Sequence, residues 1–149
     1  MILQWKVVVD SQDPHAQADF WAAALGYTVE DNSPLIGELL AAGVIAPEIT
    51  VEHHGHHAFR DAAAARHPED PYDEHSGTGL GRRLLFNRVP EKKTGKNRLH
   101  LDLHVGAEQR AVHVTRLEGL GARVLREVKE PGGEWVLMAD PEGNEFCVA

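Results

Sequence analysis

The sequence predicts an α+β protein built from two βαβββ modules, and three observations carry that reading. Leu99–Val105 alternates apolar and polar residues without a break, the signature of a strand with one face in a core. A strand–helix–strand unit whose helix stops at Gly26 returns 95 positions later, stopping at Gly121 (121 − 26). The second copy then finishes with two short strands, set off by the turn formers Pro131-Gly132-Gly133 and Asp140-Pro141-Glu142-Gly143-Asn144.

Taken in order, Gln4–Val9 reads as the first strand, with Trp5, Val7 and Val9 sharing one face. Asp13-Pro14 supplies an N-cap and a first helical residue. Ala16, Phe20, Ala23 and Ala24 recur at helical spacing with Trp21 and Leu25 beside them; Trp5, Phe20 and Trp21 are expected in the core. Tyr27–Val29 leaves as a second strand, and Leu84–Val89 closes this first module, residues 1–90. Between them, about residues 34–80 read as an inserted helical flap over a cavity. It holds a helix at Leu35–Ala42, a strand at Glu48–His53, an Ala-rich helix at Ala58–Arg66 and the loop Pro68–Gly79.

The second module, residues 98–149, repeats the order. The strand Leu99–Val105 leads to a helix over Glu108–Leu120 with Ala111, Val114 and Leu117 in step, then to strands at Ala122–Leu125, Trp135–Ala139 and Glu145–Val148. The whole chain, residues 1–149, is expected to be a single domain made of the two modules.

Composition excludes several classes. Hydrophobic content of 42% with 26% charged residues is ordinary for a globular protein, and the formal net charge of −8 argues against a nucleic-acid partner. No apolar run approaches the ~20 residues of a membrane span, and the N-terminus lacks a signal-peptide pattern. The single cysteine, Cys147, excludes an intramolecular disulfide and fits a reducing cytoplasm. Lys92–Arg98 reads as a solvated basic connection.

The chemistry concentrates on the alternating strand. His100, Asp102 and His104 project from the face opposite Leu99, Leu101, Leu103 and Val105, with same-face neighbours about 6.5–7 Å apart. His-x-Asp-x-His is unusual for a solvent-facing strand and points to a lined cavity; a polar outer sheet face is the alternative. Ten histidines are many for this length, and six lie between His53 and His75. Adjacent histidines on a strand face opposite ways, so Glu52–His57 reads mainly as a polar flap element, with His54 and His57 its better-placed ligand-binding groups. Pairing His54 with His56 or His57 would hold adventitious nickel or zinc. Asp73-Glu74-His75-Ser76 is contiguous, unlike a spatially assembled triad, and Gly77–Gly81 precedes a strand rather than the helix a phosphate loop needs.

Asp13 with Phe20-Trp21 and Leu25-Gly26-Tyr27, His100 with Val105, Leu120-Gly121-Ala122 and Asp140–Phe146 together resemble the vicinal-oxygen-chelate superfamily of glyoxalase I, extradiol dioxygenases and bleomycin-resistance proteins. The resemblance implies sheets curling into a mixed, curved cup, a homodimer, and four metal-ligand positions. Carried over residue by residue, these fall on Lys6, near Asn87, on His100 and on Cys147. Only His100 keeps the usual residue type. Three readings remain open. A rearranged site of His100 and Cys147, with Asp102 or His104, would hold a divalent metal such as zinc, iron, manganese or nickel. A metal-free cup, the preferred reading, would bind a small oxygenated molecule, with His100 and Asp102 as catalytic acid–base pair and Lys6 steadying an anion. His104, Asn87 and Trp135 would line it. The third is a satisfied polar network at an interface. Two function classes follow: a glyoxalase-like isomerase, lyase or dioxygenase-related enzyme, or a non-catalytic binding and sequestration protein.

Overall fold

A computed structural model describes all of residues 1–149, which form two compact units, residues 1–91 and 92–149. In the first, β1 (Val7–Ser11), α1 (Pro14–Leu25), β2 (Thr28–Val29), α2 (Ser33–Ala41), β3 (Thr50–His53), β4 (His56–Phe59), β5 (Ala62–Arg66) and β6 (Arg83–Arg88) follow one another, with a 3₁₀ turn at Pro47–Ile49. Its sheet runs β1-β6-β5-β2, while β3 and β4 form a separate hairpin. β1 lies parallel to β6, and the other pairs are antiparallel.

The second unit contains β7 (Asp102–Leu103), α3 (Arg110–Gly119), β8 (Arg123–Glu130), β9 (Gly133–Ala139) and β10 (Glu145–Val148). Its sheet runs β7-β10-β9-β8, again with first and last strands parallel. Both sheets thus have the order first–last–third–second, as an internal βαβββ repeat requires, and the fold is α+β.

Local chemistry fixes the element ends. The Asp13 carboxylate accepts from the Ala16 amide at 3.1 Å, Pro14 opens α1, and Gly26 ends it at φ 71°. In the last turn, Asp140 is 3% exposed and its Oδ1 accepts from the Glu142 and Asn144 amides, each at 2.9 Å. Asn144 Nδ2 adds a further bond, and Gly143 takes φ 89°. This is the physical content of the Asp-Pro-Glu-Gly-Asn motif: one buried carboxylate organises the loop before β10.

Several expectations are corrected. The Ala-rich stretch is a strand, not a helix: β5 pairs with β2 and β6 and packs against α1, with Ala63, Ala64 and Ala65 buried. Helix propensity is a weak prior, and pairing between two strands outweighs it here. The expected flap at 34–80 therefore contains a core strand and a β-hairpin. Trp5 is not in the core; it is 84% exposed because β1 starts only at Val7, whereas Phe20 and Trp21 are buried. Leu99 is also exposed, at 88%, since the strand is regular only over Asp102–Leu103. Beyond it the alternation holds: Leu101, Leu103 and Val105 are half-buried, while His100, Asp102 and His104 face out. On α3 only Leu117 is buried; Ala111 is exposed. No helix is long and apolar enough to cross a membrane.

Two ion pairs escaped sequence reasoning. Arg83 grips Glu30 with two bonds of 2.7 Å, the side chains being 9% and 2% exposed, and the Gly79 amide donates to the same carboxylate. Lys93, expected in solvent, instead donates to Glu145 Oε2 at 2.8 Å, and the Asn97 amide joins it. Burial acts to raise the Glu145 carboxyl, but these donors outweigh it and hold its pKa at about 2.

Candidate functional site

The strand periodicity of the second unit assembles the site. In the parallel β7–β10 pair Cys147 is opposite Asp102, so both point to one face. The strand continues through irregular backbone: Cys147 N–H donates to the Leu101 carbonyl and Ala149 N–H to that of Leu103. His100 is two residues before Asp102, and its Nε2 lies 3.3 Å from Asp102 Oδ1. The donor atoms of His100, Asp102 and Cys147 all fall within 4.8 Å of one another. Burial first, and then the Asp102 carboxylate that accepts from the thiol, push the Cys147 pKa above its ordinary value. One carboxylate thus sits between an exposed imidazole and a buried, protonated thiol.

The other expected residues are more scattered. His104 is exposed, just past the end of β7 and outside the trio. Trp135 is half-buried on β9 and borders an open recess of about 390 Å³ beside α3, with Arg110, Val114, Lys129 and Glu134. Lys6 is exposed just before β1, and Asn87 is half-buried on β6 opposite Asp10. The register sets Asn87 four residues beyond Lys6, roughly 13 Å along the sheet, so these two do not meet. The four family ligand positions therefore comprise an ammonium, a neutral amide, an imidazole and a protonated thiol. That set does not fit a divalent cation.

The histidine hairpin departs from expectation. His53 ends β3, and His54 does not continue the strand: with φ 50° and Gly55 at φ 76° it forms the two-residue turn into β4. The turn swings both rings to one side, 4.0 Å apart, and each Nε2 lies 2.9 Å from Asp19 Oδ2 on α1. The opposite-face rule for adjacent histidines does not apply across a turn. His57 stays exposed, opposite Glu52, and borders a recess of about 230 Å³ with His15, His53, His54 and His56. His15 is 8% exposed and donates from Nε2 to the Phe59 carbonyl at 2.9 Å. Burial, chiefly, lowers its pKa. Asp19 carried no sequence signal, because nothing in a lone helix acid points to a hairpin 34 residues on.

The repeat, the strand order and the Asp140 turn define the vicinal-oxygen-chelate fold. A family model described as a glyoxalase-like domain matches residues 6–149, and the chain belongs to that family. No curated protein matches it by sequence. Among solved structures it is similar to a glyoxalase/bleomycin resistance protein/dioxygenase family enzyme from Burkholderia phytofirmans, at 14% identity and TM-score 0.58, covering 96% of this chain and 94% of that one. It is also similar to the fosfomycin resistance protein FosX of Mesorhizobium loti (9% identity, TM-score 0.60, 99% and 91% covered). The bleomycin-binding protein of Streptomyces verticillus gives 15% identity and TM-score 0.52, with 100% and 96% covered. At these identities the likeness is one of fold.

Proposed function

We propose that this glyoxalase-like protein binds a small oxygenated organic molecule at the β7–β10 face and moves a proton within it, as an isomerase or lyase would. The observation that carries the reading is the His100–Asp102 pair at 3.3 Å, with Cys147 backing the same carboxylate. With Nε2 facing Asp102 at 3.3 Å, His100 presents Nδ1 as a base to a carbon or hydroxyl acid of the ligand. Asp102 orients the ring and stabilises the imidazolium that forms. Returning the proton to a neighbouring atom completes an isomerisation without any change of oxidation state. His104 is proposed to contact the ligand beside the pair. Structural neighbours named for fosfomycin resistance and for bleomycin binding support a small-molecule ligand.

Solvent deuterium exchange tests this. A panel of small hydroxycarbonyl compounds in D₂O, followed by NMR, should show protein-dependent exchange at carbon that His100→Ala abolishes while the fold is kept. Exchange that survives in His100→Ala contradicts the assignment.

A second reading, non-catalytic binding, is favoured by the openness of the pair, His100 and Asp102 side chains being 44% and 52% exposed. Under it no compound exchanges, and affinity follows Trp135 and the hairpin residues His54 and His57. The exposed apolar side chains Ile2, Leu3, Trp5 and Leu99 support a homodimer, which sedimentation would report as twice the 16.4 kDa chain mass.

A further inference from the structure

The first unit holds a second constellation, unrelated to the proton-transfer pair. We propose that Asp19, His53 and His54 form a binding site for a borderline divalent ion of the zinc type, clamping the β3–β4 hairpin onto α1.

Three features support it. The donor atoms Asp19 Oδ2, His53 Nε2 and His54 Nε2 all lie within 4.8 Å of one another, and both imidazoles approach the same carboxylate oxygen at 2.9 Å. Tetrahedral zinc, with bonds of about 2.0–2.1 Å, sets its donors about 3.3 Å apart, so each imidazole need draw back from the carboxylate oxygen by only a few tenths of an ångström. Second, the arrangement is held from both sides. Asp19 rides on α1, whose N-cap and C-terminal glycine fix its ends. The hairpin is tied to the same helix by His15, whose ring lies 4.7 Å from that of His53 and whose Nε2 is bonded to the Phe59 carbonyl. Third, His54 occupies a left-handed conformation, at φ 50°, that a non-glycine residue adopts only at an energetic cost. Its effect is to place a second imidazole beside the first.

The donors match the ion. Two neutral imidazoles and one carboxylate are borderline-to-hard ligands that suit zinc, with nickel or copper competing by affinity. In the ion-free site each Nε2 donates its proton to Asp19. On binding, both neutral rings carry the proton on Nδ1 and turn the Nε2 lone pair to the metal, so no net proton need leave. The site becomes +1. Three protein ligands leave the fourth tetrahedral position to water or to an oxygen donor in the adjoining recess of about 230 Å³.

The test is zinc titration of untagged full-length protein against a chromophoric chelator. Wild type, Asp19→Ala, His53→Ala and His54→Gln are compared, with His100→Ala and His56→Ala/His57→Ala as controls. The expected result is one zinc per chain, bound with an affinity that each trio substitution lowers by more than the 10–100-fold typical of losing an outer partner. Both controls should keep the full equivalent. Zinc should also raise the wild-type Tm in proportion to its logarithmic excess over Kd, and leave the Tm of Asp19→Ala unmoved. The chelator-stripped variants' own melting curves report whether each is folded, and His54→Gln, at an exposed turn, keeps the test alive if His53→Ala is not. Equal affinity in the trio variants overturns the proposal. So does loss in His100→Ala, which would put the metal in the second unit, and so does weak, non-stoichiometric uptake removed by His56→Ala/His57→Ala, which is an adventitious ion only.

Discussion

The two units share one strand order and use it differently. In the first, α1 buries seven residues and its sheet is tightened by a buried Arg–Glu pair. In the second, α3 buries only Leu117, and seven of the eight residues of β8 are exposed. The first unit also carries the insertion between β2 and β5, with α2 and the histidine hairpin. The second has only a turn at the matching place, between β8 and β9, and its polar face bears His100, Asp102 and Cys147. A shared topology therefore fixes where side chains can project, while the residues themselves decide whether a unit is locked or left open. In our account the first unit is the stiff one, holding a metal, and the second presents a proton-transfer pair.

The largest effect that tests the contrast is at Glu30. Glu30→Ala leaves the Arg83 guanidinium buried without its partner and should cost about 3–5 kcal/mol in urea denaturation. Replacing both by apolar residues, Glu30→Leu/Arg83→Met, should recover most of that loss; if it recovers none, the pair is more than a compensated charge. Next comes Asp140, the buried carboxylate that closes the second unit. Asp140→Ala leaves two backbone amides unpaired and should lower stability by about 1.5–3 kcal/mol. The matching change in the first unit, Asp13→Ala, removes one cap and should cost only about 1 kcal/mol.

A smaller effect is read out by pH. The Glu145 carboxyl is held at about 2 in the folded chain against an ordinary 4.5. A depressed acid pKa stabilises the fold above the ordinary value and loses that contribution as pH falls toward the depressed one. Wild-type stability should therefore decline between about pH 4.5 and pH 2 in part through this group, and Glu145→Gln should decline less steeply over the same window. The smallest signal is chemical. With its pKa raised, Cys147 should alkylate slowly at neutral pH, and Asp102→Asn, removing the neighbouring charge, should speed the reaction. No change in rate would mean that burial alone protects the thiol.

Much of this architecture is written in local sequence. The Asp13-Pro14 start, the glycine stops and the Asp140 turn are short-range chemistry, and the structure shows each of them. The alternation over Leu99–Val105 also gave the correct face for His100 and Asp102. What failed depended on distant partners. Ala62–Ala65 has helical composition, and only pairing with β2 and β6 makes it a strand. Trp5 is large and apolar, yet nothing local says that β1 begins two residues later. Glu30–Arg83 spans 53 residues and Asp19–His54 spans 35, so neither leaves a periodic trace. The histidine pair departs from the strand rule for a nearer reason: His54-Gly55 is a turn signal, and a turn reverses the face rule that a strand obeys.

The central claim, that the open second unit carries the chemistry, rests most directly on one comparison: carbon deuterium exchange by wild type, Asp102→Asn and His100→Ala on the same compound. The account predicts exchange in wild type, a reduced rate in Asp102→Asn, where the ring loses its orienting charge, and none in His100→Ala. Exchange in His100→Ala at the wild-type rate would contradict it.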